Sequence, residues 1–140
     1  FNAVNHRRDL TGIRMVNTGS FVAKKNQQFL VEVVSQLVKY THNIQLVLLG
    51  DGPLWRDVKE KAVRLGLQKF IRFEGDVQKV EHYLEKANFY VHSATYEPFG
   101  LALVEAMAAG LPVISLDGRD RSAAVRRCGA RPWGRRAGGR

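Results

Sequence analysis

Residues 44–66 read IQLVLLGDGPLWRDVKEKAVRLG and contain the pattern that decides the fold. Ile44–Leu49 is a continuous apolar run, which is typical of a strand buried on both faces. Gly50–Pro53 is a turn, and Leu54–Leu65 then places apolar side chains at helical spacing. The segment therefore predicts a strand, a turn and a helix, which is the repeating unit of a parallel α/β sheet.

The same alternation recurs along residues 13–117. Apolar runs predict further strands, and amphipathic segments predict further helices. The strands are Ile13–Thr18, Phe70–Phe73, Phe89–His92 and Pro112–Leu116, and the helices are Asn26–Tyr40, Val77–Lys86 and Leu101–Ala109. Because crossovers between parallel strands are right-handed, the helices cover both faces of the sheet. We expect a Rossmann-like, three-layer α/β domain with a mostly parallel sheet, whose ligands bind beyond the carboxyl ends of the strands.

Composition divides the chain into three parts. Residues 1–12 are predicted to be a linker, residues 13–117 the folded domain, and residues 118–140 an Arg/Gly-rich tail that is disordered or non-native. Residues 1–117 carry 14 basic and 12 acidic residues, whereas the tail carries eight arginines and one aspartate. Most of the net charge of +9 therefore belongs to the tail. Weak, salt-dependent nucleic-acid binding through those arginines is one alternative function, without sequence specificity.

Several classes of protein do not fit the sequence. The single cysteine, Cys128, excludes an internal disulfide and a multi-cysteine zinc site. No apolar run reaches the ~18 residues of a transmembrane segment, and the first residues lack a signal-peptide pattern. Trp55 stands where a dinucleotide-binding turn beginning at Gly50 would need its third glycine. A P-loop, a nucleophile elbow and a metal-ligand spacing of histidines are also absent from the sequence.

The sequence EPFGLALVEAMAAGLPVI, which begins at Glu97, carries the clearest chemical signal. A strand ends, a loop holds a carboxylate, and Gly100 opens a helix. Unpaired amides at a helix start favour an anion, and here they would come from Phe99, Gly100 and Leu101. Glu105 follows about 7.5 Å along the helix axis. The two carboxylates could bracket a sugar and a ribose, or they could simply face solvent.

This segment resembles the E-x7-E signature of family 4 retaining glycosyltransferases of the GT-B fold, with Glu97 and Glu105 as the two glutamates. Three further matches follow the same order along the chain. Residues 18–27, TGSFVAKKNQ, are similar to the family's first glycine-lysine loop, residues 48–53 to its L-x-G-x-G-P turn, and residues 73–76 to its F-x-G loop. The resemblance covers residues 13–117 and implies the donor-binding C-terminal half of a GT-B fold.

The resemblance also implies a role for each matching residue. Glu97 would contact the donor sugar as the catalytic residue, and Glu105 would bind the ribose. Lys25, or Lys24 as the alternative, would neutralise the diphosphate. The remaining cofactor-binding positions lie in the first loop and at the helix start, namely Gly19, Ser20, Phe99, Gly100 and Leu101. Ser20 stands where the family often has arginine, which leaves the cationic site with one fewer charge.

The implied function is transfer of a hexose, with retention, from a UDP-, GDP- or ADP-linked sugar to a glycan or glycolipid acceptor. The resemblance implies no metal and a cytoplasmic location, with the inner membrane face as the alternative for the full-length enzyme. From the resemblance, we expect the family's N-terminal acceptor domain to be missing before this segment and its last strand and helices to be missing after it. We therefore expect a sheet truncated at its C-terminal end and little sugar transfer by this chain alone. A reading-frame shift or a fusion near residue 118 would explain the tail.

Two alternatives remain open from the sequence. The chain could be a non-catalytic nucleotide-sugar binding module, since such a module would keep Lys25 and Glu105. Trp55 and Tyr96 could each stack on the base of a nucleotide, although Trp55 at the start of a helix is more often a packing residue.

Overall fold

The structure, a computed structural model, describes residues 11–95, 100–116 and 125–128. Strands and helices alternate along these residues, and a short 3-10 helix, Ala23–Lys25, precedes the first α-helix. The elements are β1 (Ile13–Thr18), α1 (Gln27–Leu37), β2 (Ile44–Leu49), α2 (Trp55–Arg64), β3 (Ile71–Gly75), α3 (Val80–Lys86), β4 (Phe89–His92), α4 (Leu101–Ala108), β5 (Val113–Leu116) and β6 (Val125–Cys128). Every strand and helix predicted between residues 13 and 117 is present, with bounds that differ by at most three residues.

The sheet has the order β3-β2-β1-β4-β5-β6. All neighbouring pairs among β1 to β5 are parallel. Strands β2 and β3 lie on one side of β1, and β4, β5 and β6 lie on the other. This is the doubly wound arrangement of a Rossmann-like fold. The predicted fold class is therefore confirmed.

β6 lies inside the segment that the sequence predicts to be a tail without regular structure. Its backbone pairs antiparallel with β5, from Val113 opposite Cys128 to Leu116 opposite Val125. For these four residues the prediction was wrong. Backbone groups along the open edge of β5 can pair with an added strand whatever its side-chain pattern, so a missing period does not exclude pairing. The rest of the tail and the predicted linker residues 1–10 lie outside the described residues.

Two hydrophobic cores lie on the two faces of the sheet. The first packs α1 and α2 against the strands, and its largest fully buried side chains are Phe21, Val31, Val34, Leu46, Leu48 and Val58. The second lies under α3 and α4 and is smaller, with Val16, Leu49, Leu84, Ala87, Tyr90, Ala106, Leu111 and Val113. The two layers of helices and the sheet between them form the three-layer arrangement that the sequence predicts.

Candidate functional site

A crevice opens where β1 and β4 meet. Helix α1, which follows β1, packs on one face of the sheet, and α4, which follows β4, packs on the other. The connections after these neighbouring strands therefore leave in opposite directions, and this is where ligands of open α/β sheets bind. The backbone pairing between β1 and β4 covers only Met15 with Phe89 and Val16 with Tyr90.

Side chains join the two strands beyond the last backbone pair. The amide nitrogen Nδ2 of Asn17 donates to the carbonyl oxygen of Val91 at 2.8 Å. The Tyr90 hydroxyl lies 3.3 Å from both the backbone nitrogen and the backbone oxygen of Thr18. Tyr90 is only 1% exposed, so this hydroxyl forms part of the buried bottom of the crevice. The spacing of the two strands at the site is therefore set by side chains and not by the sheet ladder.

The loop after β1 lies directly against the turn after β2. Gly19 donates its N–H to the carbonyl of Leu49 at 3.0 Å, and Gly50 has a positive φ of 120°. A Cβ at position 50 would lie 2.1 Å from the backbone oxygen of Gly19, so a side chain there would force the two loops apart. Gly50 thus keeps the Gly19 loop at the carboxyl edge of the sheet.

Lys25 projects from the end of the first loop back across Gly19. Lys25 ends the 3-10 helix Ala23–Lys25, and Asn26 then adopts a left-handed conformation with φ 52° before α1 begins. A Cβ at position 19 would lie 3.6 Å from the Cδ atom of Lys25. The aliphatic stem of Lys25 therefore lies beside Gly19, at a distance that a Cβ would meet in ordinary van der Waals contact.

Helix α4 begins at the other side of the crevice. Gly100 precedes it with φ 52° and ψ 34°, a left-handed conformation that residues other than glycine adopt at a cost. The first amides of an α-helix have no carbonyl partner within the helix, and the helix dipole adds partial positive charge there. The amino end of α4 is therefore suited to a phosphate group.

Lys25 and the start of α4 line one small cleft. The cleft is narrow, with a volume of about 10 Å³, and it is partly open to solvent. Its lining comes from the ends of β1 and β4 and from the first turn of α4, namely Asn17, Thr18, Lys25, Tyr90, His92, Ala94, Gly100, Ala102 and Leu103. An ammonium group and a helix amino end on one cleft make a site for an anion with more than one charged oxygen.

The structure brings together three of the residues that the sequence singles out, Gly19, Lys25 and Gly100. Lys24 does not line the cleft, so the geometry favours Lys25 between the two lysines. Ser20 is exposed beside Gly19, and its carbonyl accepts a hydrogen bond from Nε2 of Gln27 at 2.9 Å.

The other predicted site residues either do not line the cleft or lie outside the described residues. Leu101 is 72% exposed at the start of α4. Glu105 is exposed one turn further along the same helix and does not line the cleft. Glu97 and Phe99, together with Tyr96, lie outside the described residues.

Sequence reasoning missed the bottom of the crevice. Thr18, Tyr90 and His92 line the cleft, and His92 is 9% exposed. The sequence shows His92 only as the last residue of a predicted strand and as one of the histidines without a metal-ligand spacing. Their positions in the sequence could have indicated them, because these residues lie in or at the ends of the two strands that flank the switch point.

Trp55 belongs to the first core. Its ring meets Phe73 edge to face with centroids 6.0 Å apart, and the Lys59 ammonium lies 4.7 Å above it. The ring is partly buried against the first core, so the structure supports the packing role for Trp55.

A larger groove lies elsewhere on the sheet. It has a volume of about 840 Å³ between α3 and strands β1 to β3, and its lining includes Arg14, Gln45, Arg72 and Lys79. The groove shares no lining residue with the cleft at the switch point.

The described residues contain neither a cluster of side chains that could hold a metal ion nor a membrane-spanning helix. Among residues 11–95, 100–116 and 125–128, no three histidine, cysteine, aspartate or glutamate side chains are grouped as a metal site would require. In the same ranges, none of the helices has the length and apolar character needed to cross a membrane.

Comparison with known families agrees with the resemblance noted in the sequence. The family model described as glycosyl transferases group 1 matches residues 2–125. The chain belongs to this family. The matched range extends beyond the predicted domain, into the predicted linker on one side and the first residues of the predicted tail on the other.

Individual members of the family match only in part of their length. The chain is 34% identical over 94 residues to the alpha-monoglucosyldiacylglycerol synthase of Streptococcus pneumoniae. That alignment covers 66% of this chain and 21% of the relative. The chain thus spans about a fifth of the length of this curated relative.

Solved structures show the same fold. The pneumococcal O-GlcNAc transferase GtfA, in complex with UDP and GlcNAc, superposes with a TM-score of 0.71 at 22% identity, over 79% of this chain and 22% of the transferase. The C-terminal domain of a glycosyl transferase group 1 family protein (LpcC) from Francisella tularensis superposes with a TM-score of 0.66 at 22% identity. This superposition covers 74% of this chain and 58% of the Francisella chain.

Proposed function

We propose that this chain binds the diphosphate of a nucleotide-linked sugar and forms the donor-binding half of a retaining glycosyltransferase. The observation that carries the proposal is the cleft shared by Lys25 and the amino end of α4. That cleft lies at the β1/β4 switch point of a chain that belongs to the glycosyl transferases group 1 family. The transferred group in this proposal is a hexose, and the acceptor is a glycan or a glycolipid.

The donor is oriented by charge in this proposal. The Lys25 ammonium takes one side of the diphosphate, and the first amides of α4 take the other. Glu105, one turn along α4, accepts hydrogen bonds from the ribose hydroxyls, and Glu97 contacts the sugar. The GtfA structure, which shares this fold, holds UDP and GlcNAc, and this supports a nucleotide-linked sugar as the ligand class.

The same groups favour departure of the nucleotide. When the bond between the anomeric carbon and the phosphate oxygen breaks, the electron pair and the negative charge go to the nucleoside diphosphate. Lys25 and the α4 amides face that developing charge without having to reorganise. The acceptor oxygen forms the new bond on the same face of the sugar and gives its hydroxyl proton to the departing diphosphate oxygen, so the anomeric configuration is retained.

Transfer also needs an acceptor held next to the donor. The alignment covers only about a fifth of the S. pneumoniae relative, and we propose that the acceptor is held by a part of such enzymes outside the aligned region. Holding two reactants in place can supply ~7–11 kcal/mol of the barrier. We therefore expect the chain alone to bind the donor nucleotide but to transfer little sugar, with turnover close to that of a heat-inactivated control.

A binding experiment tests the proposal. Affinities of the full chain for UDP, GDP and ADP, and for the matching monophosphates, are measured by calorimetry. A charged hydrogen bond contributes ~1.5–3 kcal/mol, so Lys25→Gln should weaken diphosphate binding by about 10–100-fold. Lys39→Gln is the matched control, because Lys39 is an exposed lysine beyond the far end of α1 that bonds to Gln36.

The outcomes separate clearly. Tighter binding of a diphosphate than of its monophosphate, lost with Lys25→Gln and kept with Lys39→Gln, is the expected result. Failure to bind any of the three diphosphates would contradict the proposal. Equal affinities of the wild-type chain and Lys25→Gln would show that Lys25 is not part of the diphosphate site.

A further inference from the structure

Two hydroxyl side chains after β4 hold the turn that carries Lys25. Ser93 donates from Oγ to the carbonyl oxygen of Lys25 at 2.7 Å. Thr95 donates its backbone N–H to the carbonyl oxygen of Lys24 at 2.8 Å, and its Oγ1 donates to the same oxygen at 3.2 Å. Ser93 is 2% exposed. These bonds join segments that are 68 to 71 residues apart along the chain.

The accepting carbonyls lie in an unusual piece of backbone. The 3-10 helix stops at Lys25, Asn26 is left-handed, and α1 starts only at Gln27. Regular helical bonding is therefore interrupted where the carbonyls of Lys24 and Lys25 project. The bond from Ser93 to the Lys25 carbonyl is partly buried, and an unpaired carbonyl there would be unfavourable, so the Ser93 hydroxyl favours this conformation of the turn.

The bonds also link the two sides of the crevice. Lys25 and Gly100 both line the cleft, and so do His92 and Ala94, the two neighbours of Ser93. The same turn is supported by Gln27, whose side chain holds the carbonyl of Ser20 at 2.9 Å. The position of the Lys25 ammonium relative to α4 thus depends on the contact between the two loops.

We propose that Ser93, assisted by Thr95, is a positioning residue that holds Lys25 at the distance from α4 that a nucleoside diphosphate requires. This inference rests on the proposed function and adds to it a residue that does not itself touch the ligand. Ser93 acts through Lys25 alone, so its effect depends on the Lys25 ammonium being present. Ser93 therefore affects the binding of the phosphate that Lys25 faces, and not the binding of the nucleoside.

A double-mutant cycle tests this dependence. Binding of the tightest of UDP, GDP and ADP, and of its monophosphate, is measured for the wild-type chain, Ser93→Ala, Lys25→Gln and the double variant. Ser93→Ala should weaken diphosphate binding by about 5–10-fold, the size of one lost neutral hydrogen bond. In the Lys25→Gln background the same substitution should change the affinity by less than about twofold. Ser35→Ala, in which a helix-surface serine bonded to the Glu32 carbonyl is removed, is the control.

A second variant protects the test against loss of folding. Thr95→Val removes the 3.2 Å bond from Oγ1 and keeps the backbone N–H, so it is the milder change. It should weaken diphosphate binding by about two- to threefold, again only when Lys25 is present. Unfolding curves recorded for each variant separate a change in stability from a change in the bound turn.

The results distinguish this inference from the proposed function. If the wild-type chain binds none of the three diphosphates, the proposed function fails and the role of Ser93 fails with it. If the wild-type chain binds and Ser93→Ala binds equally well, the role of Ser93 alone is wrong. Equal losses with and without Lys25 would show that Ser93 and Lys25 act independently, which also overturns the inference.

Discussion

The two faces of the sheet differ in how firmly they hold their helices. On one face α1 and α2 cover a core in which Phe21, Val31 and Leu46 are fully buried. On the other face α4 buries a single side chain, Ala106. Leu101, 72% exposed, and the half-exposed Val104 and Met107 form an apolar stripe along the outside of α4, at a spacing of three residues.

The candidate site lies between these faces and takes one part from each. The loop with Gly19 and Lys25 leads into α1 and rests on the larger core, whereas the amides that we propose to bind phosphate belong to α4. Few buried contacts correspond to a low free energy of local opening. The difference indicates that the lysine is supplied by the stable face and the helix dipole by the weaker one.

Two leucine substitutions give the strongest contrast between the faces. Leu46→Ala empties a fully buried position in the centre of the sheet, and we expect a loss of ~2–5 kcal/mol in the free energy of unfolding. Leu101→Ala is the same chemical change at an exposed position, and we expect a change within ~0.5 kcal/mol. Urea unfolding of both variants measures the difference. Equal losses would mean that α4 is covered as fully as the core.

A glycine pair tests how tightly the loops on the first face are packed. Gly50→Ala combines a positive φ with a Cβ only 2.1 Å from the Gly19 oxygen, so we expect ~2–4 kcal/mol of destabilisation. Gly66 has a positive φ of 69°, but a Cβ there would have no other atom within 4 Å. Gly66→Ala should therefore lower the free energy of unfolding only by the cost of the backbone conformation, ~1 kcal/mol. Thermal or urea unfolding provides the values. If the Gly50 variant loses no more stability than the Gly66 variant, the close approach of the two loops is contradicted.

A carboxylate pair tests whether the exposed side of α4 meets a ligand. Glu105→Gln removes a charge-assisted bond to the ribose in the proposed function, so the affinity for the preferred nucleoside diphosphate should fall by about 3–10-fold. Glu85→Gln on α3 is the matched control and should bind as the wild-type chain does. Unchanged binding by Glu105→Gln would leave Glu105 as a solvated surface residue.

The smallest expected effect concerns the ion pair between α1 and α2. Lys61 and Glu32 lie 2.6 Å apart on the surface, and Glu32 is more than half exposed. Lys61→Met should lower the free energy of unfolding by only ~0.2–1 kcal/mol, and less at high salt. Unfolding in low and in molar salt measures this. A larger, salt-independent loss would show that the Lys61 stem contributes packing to the first face.

The sequence predicted the elements better than their contacts. Apolar runs such as Ile44–Leu49 and the periodic helix around Val58 are local signals, so their bounds agree with the structure. Lys25 and Gly100 were found through motif residues close to them in the sequence. The donation from Ser93 to Lys25 was missed because a single serine 68 residues away carries no local pattern. β6 was missed because its pairing comes from the backbone.

A nucleotide titration followed by two-dimensional amide NMR tests the site at the β1/β4 crevice most directly. UDP, GDP and ADP are added separately to the full chain. We expect one of them to shift the amides of Gly19, Lys25 and Leu101, while those of Gln78 and Lys79 in the larger groove stay in place. Shifts concentrated in the groove beside α3, or a spectrum that none of the three nucleotides changes, would contradict a donor site between β1 and α4.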